Sequence, residues 1–251
     1  MAITPIIPRK TTPSVRRTDS IRGVALMALG MFLFSGVDTM GKFLTETVHP
    51  IQIVWFRQLG LLLGVVVLIG VQGRSVLVSS NPKLQIGRGV LAACSATLFI
   101  VGVSYVPLAD AVAITFVAPF MVTVMGALIL QEPVGVRRWT AVLVGFIGTL
   151  IVIRPGMGVI HPAALLLIVA ATAFALRQVL SRILAGEDKT QTTVAYTAIV
   201  SWTLLTIPLP LIWQNPSSGL EIALLIAMAV VAAFAEILVI MALDAAQAVV
   251  V

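Results

Sequence analysis

The sequence predicts an all-α integral membrane protein with two inverted five-helix repeats, a ten-helix architecture of which this chain holds eight complete spans and part of a ninth. The first observation behind this prediction is composition: 59% of the 251 residues are hydrophobic and only 10% are charged. Soluble domains carry about 25% charged residues, and a soluble protein of this composition would aggregate through its apolar surface. The other two observations are the regular spacing of apolar runs and a similarity between the two halves.

Apolar runs close to the length that crosses a bilayer, about 20 residues, recur along the chain. They are separated by turn sequences such as SSNP and NPSSG. A ninth run begins near residue 245, and the fifth run is the shortest. The predicted spans are 21–41, 51–71, 87–106, 109–130, 139–153, 162–181, 192–213 and 220–242.

The basic residues predict the orientation of these spans. With the N-terminus inside, twelve Lys and Arg residues face the cytoplasm, whereas only Lys42 and Arg154 fall outside. Cytoplasmic loops carry an excess of Lys and Arg, so residues 1–20 are expected to form a basic cytoplasmic tail. We expect a multi-pass protein of the cell inner membrane.

An internal similarity predicts a repeat over residues 21–154 and 162–251. MFLFSGVDTMGKFL (31–44) aligns with ATAFALRQVLSRIL (171–184) at an offset of 140, and ADAVAI (109–114) with AQAVVV (246–251) at 137. A repeat of five helices must enter the membrane from the opposite side the second time, as in secondary transporters. The same alignment predicts that the second copy lacks about 40 residues; an eight-helix protein with an apolar tail is the alternative.

Several classes of function are disfavoured by the sequence. The one cysteine and the two histidines, His49 and His161, have no metal-ligand spacing, so neither a metal nor a cofactor is expected. The basic residues lie between apolar runs, which disfavours nucleic-acid binding. An intramembrane protease is disfavoured because the histidines lie near span ends and Asp38 is alone at depth.

Ionisable residues inside spans are functional candidates because they are unfavourable in lipid. Asp38 lies four residues before Lys42 on one helical face, and Arg57 lies in the second span. Either Asp38 forms an ion pair with one of these cations, or Arg57 or Lys42 anchors an anionic substrate while Asp38 takes a proton or cation. The second half offers Arg177, Gln178 and Glu236 as the corresponding set.

Other polar, aromatic and proline residues complete the candidate site. Trp55, Tyr105 and Tyr196 either pack or stack on a ligand. Pro119 cannot donate to the carbonyl of Thr115, which predicts a kink and a free carbonyl in the fourth span. Outside this set, Asp110 is expected to cap a helix N-terminus, and a salt bridge is expected between Glu132 and Arg137 or Arg138.

The motifs FSGVDTMGKFL, IVWFRQLGLLLG and YVPLADAVAITFVAPFMVTVMGALILQEPVGVRRW resemble the drug/metabolite transporter superfamily, in particular its bacterial ten-helix EamA-type members. That resemblance implies a fourth helix ending at Glu132, followed by the basic pair Arg137 and Arg138. It implies secondary-active transport of a small metabolite by alternating access, coupled to a proton or counter-solute. Similar proteins act on riboflavin, S-adenosylmethionine or amino acids. The alternatives are a membrane scaffold or receptor, or an inactive fragment.

Overall fold

The structure, a computed structural model, describes residues 17–131, 135–153, 161–184 and 187–250, and these residues are predominantly helical. Apart from one 3-10 helix at Arg74–Leu77, the described helices are α-helices. Their bounds are α1 (Arg17–Leu44), α2 (Pro50–Gln72), α3 (Pro82–Tyr105), α4 (Leu108–Thr115), α5 (Ala118–Ile129), α6 (Val136–Ile153), α7 (Ala163–Leu184), α8 (Thr190–Thr206), α9 (Leu209–Ile212) and α10 (Gly219–Val250).

Six helical segments of the described chain are long and apolar enough to cross a membrane. They are Ile21–Leu44, Pro50–Gln72, Pro82–Tyr105, Leu108–Ile129, Ala163–Leu184 and Gly219–Val239. Large apolar side chains cover their outer surface; Phe32, for example, is 73% exposed. Exposed apolar area of this extent suits lipid and not water, so the protein is a multi-pass membrane protein.

The number of spans differs from the eight that the sequence predicts. The fifth predicted span lies in α6, but its apolar part covers only Trp139–Gly148. The seventh is divided, because α8 ends at Thr206 and α9 begins at Leu209. Pro208 lies at this division, and proline lacks the N–H that a continuous helix requires.

The predicted eighth span and start of a ninth form one helix, α10, which runs without interruption through residue 250. The expected break near residue 243 is therefore wrong. The segment between Ile237 and Val250 contains neither proline nor glycine. Alanine and leucine favour the helix, so nothing in this stretch ends it.

The fourth predicted span is broken more completely than the kink expected from Pro119. Helix α4 ends at Thr115 and α5 begins at Ala118, with Phe116 and Val117 in a turn between them. Both turn residues donate backbone hydrogen bonds to carbonyls three positions back. Tightening of this kind is common at helix ends, and the result is two short helices in one span.

The helices pack in a small number of pairs. Helix α1 packs mainly against α10, and α3 packs against α7 and α8. Helix α2 lies against α10 and α8, and α5 against α7. The largest buried cluster joins α1, α2, α3, α8 and α10, and includes Val37, Ile53, Ile100, Leu205 and Met228.

Glycines set the distance at two of the crossings. A Cβ atom at Gly60 of α2 would overlap the backbone of Ala229 in α10. A Cβ atom at Gly89 of α3 would lie 2.6 Å from Cβ of Val200 in α8. Small residues allow membrane helices to approach this closely.

The other two principal crossings also contain a glycine. A Cβ atom at Gly30 of α1 would lie 2.9 Å from Cγ2 of Val239 in α10. A Cβ atom at Gly102 of α3 would lie 2.5 Å from Cδ2 of Leu167 in α7. Each of the four crossings therefore has one glycine, facing a larger residue on the partner helix.

Candidate functional site

An ion pair inside the bundle joins the first two helices. Nη1 of Arg57 on α2 lies 3.5 Å from Oδ1 of Asp38 on α1. The two side chains are 23% and 27% exposed, so the pair is only partly buried. The Arg57 guanidinium also lies 5.4 Å from the ring centre of Phe34, within the range of a cation–π contact.

Lys42, the other cation of the first span, lies at the end of a neighbouring helix. Its Nζ donates to the carbonyl oxygens of Val103 at 2.6 Å and Val106 at 3.3 Å. These carbonyls belong to the C-terminal turn of α3, where carbonyls lack intrahelical partners and cations are favourable. The structure thus gives Lys42 a helix-capping role and places it apart from the Asp38–Arg57 pair.

Arg88 is a partly buried cation, whereas the distribution of basic residues predicts it only on the cytoplasmic side. It lies in α3 and connects α3 to two helices of the second half. Its Nε donates to Oγ of Ser181 at 2.6 Å, and its Nη1 donates to the carbonyl of Thr193 and the hydroxyl of Thr197. Arg88 lies near the predicted loop SSNP, and cations near the ends of spans usually set orientation. The sequence alone therefore does not indicate the hydrogen bonds of Arg88 with α7 and α8.

Arg177 of α7 lies on the same side of the bundle as Arg88. Ser181, which accepts from Arg88, also donates to the backbone carbonyl of Arg177 at 2.8 Å. The Arg177 guanidinium lies 4.8 Å from the ring centre of Phe174. Its Nε is buried and has no hydrogen-bond partner among the described residues.

Glu236 of α10 is a carboxylate whose charge acts on both of these arginines. It interacts electrostatically with both Arg177 and Arg88, and Arg177 also interacts with Arg57. No carboxylate oxygen comes within 4.0 Å of Arg177 in the described part of the chain. Gln178, the neighbour of Arg177, is half-buried. Arg57, Arg88, Arg177, Asp38 and Glu236 are called the interior charge cluster below.

Three of the four tryptophans, Trp55, Trp202 and Trp213, form a separate aromatic cluster, whereas Trp139 contacts Phe120. The rings of Trp55 and Trp202 lie 5.7 Å apart, and Phe56 and Trp213 pack against Trp55. Nε1 of Trp55 donates to the hydroxyl of Thr206 at 2.8 Å. Trp55 therefore packs within the protein, with its polar atom satisfied.

The two tyrosines named as candidates make no hydrogen bond or ring contact with the interior charge cluster in the described part of the chain. Tyr105 is 60% exposed and stacks on His161 at 5.3 Å. The hydroxyl of Tyr196 donates to the carbonyl of Leu77 at 3.2 Å. Both histidines are helix caps: His49 and His161 accept backbone N–H groups of α2 and α7 through Nδ1.

The remaining predicted residues lie at helix ends. Asp110 is in the first turn of α4 but makes no capping hydrogen bond, and the N-cap residue is Pro107; the expected cap is absent because α4 starts earlier. The hydroxyl of Thr115 donates to the carbonyl of Val112 at 2.8 Å. Arg137 is exposed, whereas Glu132 and the side chain of Arg138 lie outside the described residues, as does their expected salt bridge.

Two hydrogen-bonded contacts connect loops of one half of the chain to helices of the other. Asp188, just before α8, accepts from the hydroxyl of Ser79, the N–H of Ser80 and Nε2 of Gln85. Burial raises the pKa of Asp188, but these hydrogen bonds together outweigh it and hold that pKa below its ordinary value. We call this the Asp188 contact.

The second such contact, the Gln52 contact, lies at the start of α2. The buried side chain of Gln52 donates through Nε2 to the carbonyl of Gln214 and accepts from the N–H of Gln214, both at 2.9 Å. One side chain thereby satisfies both backbone groups of a residue in the loop before α10.

No group of three His, Cys, Asp or Glu residues that could hold a metal ion occurs among the described residues. The polar groups described in the interior are guanidinium, carboxylate, hydroxyl and amide groups. These groups bind charged or polar small molecules through hydrogen bonds and ion pairing.

Known proteins resemble this chain over most of its length. It is 27% identical over 206 residues to the S-adenosylmethionine uptake transporter of Rickettsia prowazekii, covering 82% of this chain and 69% of the relative. It is 26% identical over 193 residues to the riboflavin transporter of Rhizobium johnstonii, covering 76% and 64%. It is 29% identical over 220 residues to the pseudopaline exporter CntI of Pseudomonas aeruginosa, covering 86% and 76%. No solved structure matches the chain.

A sequence model of the EamA-like transporter family matches residues 21–154. This match covers more than half of the chain, and it includes α1 to α6 with the Asp38–Arg57 pair. The three relatives above are all named as transporters or exporters of small molecules. The protein belongs to the EamA-like transporter family.

Proposed function

We propose that this protein carries a small polar metabolite across the inner membrane by alternating access between two inverted repeats. The observation that carries the proposal is the interior charge cluster, to which helices of both halves contribute. Ionisable groups at membrane depth mark substrate or ion pathways. The resemblance to carriers of S-adenosylmethionine, riboflavin and pseudopaline supports a metabolite of that general size.

The helix bounds support the inverted repeat. Helices α1 and α7 end at Leu44 and Leu184, and α2 and α8 begin at Pro50 and Thr190. Both pairs differ by 140 positions, the offset of the first sequence match. The repeat relates α1 to α7, α2 to α8 and α3 to α10. The helix contacts agree with this relation, because α1 packs on α10 as α7 packs on α3, and α2 packs on α10 as α8 packs on α3.

The glycine crossings support the repeat at the level of single residues. Gly60 faces Ala229, and Gly89 faces Val200. A shift of 140 positions takes Gly60 to Val200 and Gly89 to Ala229. The α2–α10 crossing therefore corresponds to the α3–α8 crossing, and the glycine lies on the opposite member of the helix pair. In an inverted repeat, exchange of partners is the expected result of the two-fold relation.

The second pair of crossings also joins corresponding helices. Gly30 faces Val239, and Gly102 faces Leu167. These two crossings join α1 with α10 and α3 with α7, which correspond to each other in the proposed repeat. At the offset of 140 that aligns residues 31–44, Gly30 and Gly102 match Ala170 and Ala242, so this second pair supports the repeat through the helices that cross and not through single residues.

The proposed orientation places the N-terminus and the Asp188 contact on the cytoplasmic side, and the Gln52 contact outside. Cysteine labelling tests it in a Cys94→Ala background, since Cys94 is exposed. We expect a membrane-impermeant maleimide to label Asn215→Cys in intact cells and Ser80→Cys only after permeabilisation. The reverse pattern would contradict the orientation, and equal labelling of both sites would contradict the inverted repeat.

Transport itself is tested with vesicles that contain the purified chain. We expect accumulation of radiolabelled S-adenosylmethionine, riboflavin or an amino acid, and loss of that transport in Asp38→Asn and Arg57→Gln. Breaking a partly buried pair leaves an uncompensated charge, whereas the exposed control Arg74→Gln leaves transport unchanged. No transport of any compound in the panel would contradict the proposed function.

The same vesicles test the proposed energy source. If a proton is the coupling ion, an imposed pH gradient drives accumulation and a protonophore abolishes it. If a counter-solute is used, accumulation requires unlabelled compound on the opposite side. Asp38 is the proposed proton or cation site, so Asp38→Asn should show no accumulation under the imposed pH gradient.

A further inference from the structure

We propose that the transported substrate carries a carboxylate group and that the guanidinium of Arg177 binds it inside the bundle. This inference rests on the proposed function, since it names the substrate class of the interior charge cluster. It assigns a specific role to a residue whose buried Nε has no hydrogen-bond partner among the described residues.

The other interior cations are occupied by protein groups. Lys42 donates to two carbonyls at the end of α3, and Arg57 lies 3.5 Å from Asp38. Arg88 donates to two hydroxyls and one carbonyl. The Arg177 side chain donates no hydrogen bond to any described residue, and its Nε is buried.

A buried N–H group without an acceptor is unfavourable, because it has lost water and gained nothing in exchange, and the Nε–H of Arg177 is such a group. The ring of Phe174, 4.8 Å away, positions the guanidinium without accepting its in-plane hydrogen bonds. The planar fork of arginine matches a carboxylate, which accepts two parallel hydrogen bonds. Arg177 thus offers the donor geometry that a carboxylate requires.

The charge balance also favours an anion. The interior charge cluster contains three guanidinium groups and two carboxylates, Asp38 and Glu236. Asp38 is held by Arg57, so Glu236 alone offsets both Arg88 and Arg177. A substrate carboxylate would supply the missing negative charge, and Glu236 would compete with it for Arg177.

The test uses compounds that differ by one carboxylate. Binding to the purified chain in detergent is measured by calorimetry for S-adenosylmethionine and its decarboxylated analogue, lysine and cadaverine, and phenylalanine and phenethylamine. We expect the acid of at least one pair to bind about tenfold more tightly than its partner, as for a hydrogen-bonded ion pair. That preference should disappear in Arg177→Gln. It should decrease in Arg177→Lys, which keeps the positive charge but loses the planar guanidinium that donates two parallel hydrogen bonds.

Two further variants separate this role from a purely structural one. Glu236→Gln removes the competing carboxylate, so the acid should bind more tightly than to the unmodified chain, a gain that misfolding cannot produce. Arg74→Gln removes an exposed charge and should change neither affinity.

The inference is wrong if no acid binds more tightly than its decarboxylated partner, or if Arg177→Gln keeps the preference. Transport is scored separately in the vesicles. Riboflavin has no carboxylate. If the chain transports riboflavin and prefers no acid, the inference that the substrate carries a carboxylate is wrong, but the proposed transport function stands. An acid preference that depends on Arg177, in a chain that transports nothing, would overturn the proposed function instead.

Discussion

Gly60 lies directly against the backbone of Ala229, whereas Gly64, one helical turn further along α2, has no atom within 4 Å of its Cβ position. We expect Gly60→Ala to force α2 and α10 apart and to lower stability by about 1–3 kcal/mol, the usual effect of overpacking. The measurement is thermal unfolding in detergent micelles.

Gly64→Ala is the matched control, because it makes the same change in the same helix without a clash. We expect its unfolding temperature to stay the same or rise slightly, since alanine favours the helix. Equal loss in both variants would show that the crossing does not depend on close approach at Gly60.

Replacement of Gln52 by Leu should release the loop that precedes α10. The side chain satisfies both backbone groups of Gln214, and a lost hydrogen bond of a buried group costs about 1–3 kcal/mol. We expect faster proteolysis between residues 213 and 218 and a lower unfolding temperature. Gln52→Glu keeps the acceptor for the Gln214 N–H and loses the donor, so an effect as large as that of Leu would argue against two separate hydrogen bonds.

The Asp188 contact should make stability depend on pH. Since its hydrogen bonds lower the pKa of Asp188 in the folded state, the stabilisation is complete above the unfolded pKa of about 4 and is lost as the pH falls through the folded pKa. We expect Asp188→Asn to be less stable than the unmodified protein at pH 6, with the difference shrinking below about pH 4.

Unfolding curves between pH 7 and pH 3 measure this difference. The neighbour Glu187 serves as control, because its backbone carbonyl accepts from Ser80 while its side chain makes no hydrogen bond in the described part of the chain. Glu187→Gln should therefore be as stable as the unmodified protein at each pH. A constant difference for Asp188→Asn down to pH 3 would contradict the role of its charged form.

Lys42→Met should destabilise the protein without changing substrate affinity. The ammonium group caps α3 through Val103 and Val106, and hydrogen bonds from charged groups contribute about 1.5–3 kcal/mol. We expect a lower unfolding temperature with an unchanged KM for transport, and partial recovery in Lys42→Arg. A large rise in KM at unchanged stability would support substrate anchoring instead.

The sequence predicts the membrane helices well where turn chemistry is strong. His49 and Pro50 start α2, and Asn81 and Pro82 start α3, close to the expected positions. It fails where a proline lies inside a run, because Pro208 divides a helix that hydropathy alone reads as one span. It also fails at Asp244, where a polar residue suggests a loop but helix formers surround it on both sides.

The interior is only partly readable from the sequence. Asp38 and Arg57 both lie deep in adjacent apolar runs, which is enough to suggest that they pair. The structure contains this ion pair. The roles of Lys42 and Arg88 depend on which helix lies opposite, and neither spacing nor hydropathy contains that information. Arg88 bonds to residues more than 90 positions away, so only the tertiary structure reveals it.

The contacts of α1 have a consequence for how the protein enters the membrane during synthesis. This helix carries Asp38 and Lys42, whose partners lie in α2 and at the end of α3. A lone helix with two unpaired charges partitions poorly into lipid, so α1 is stable there only once the chain has been made to about Val106. We expect translocation intermediates truncated before α3 to be extracted by alkaline carbonate and longer ones to resist it. The first three helices would then leave the translocon together, as one unit.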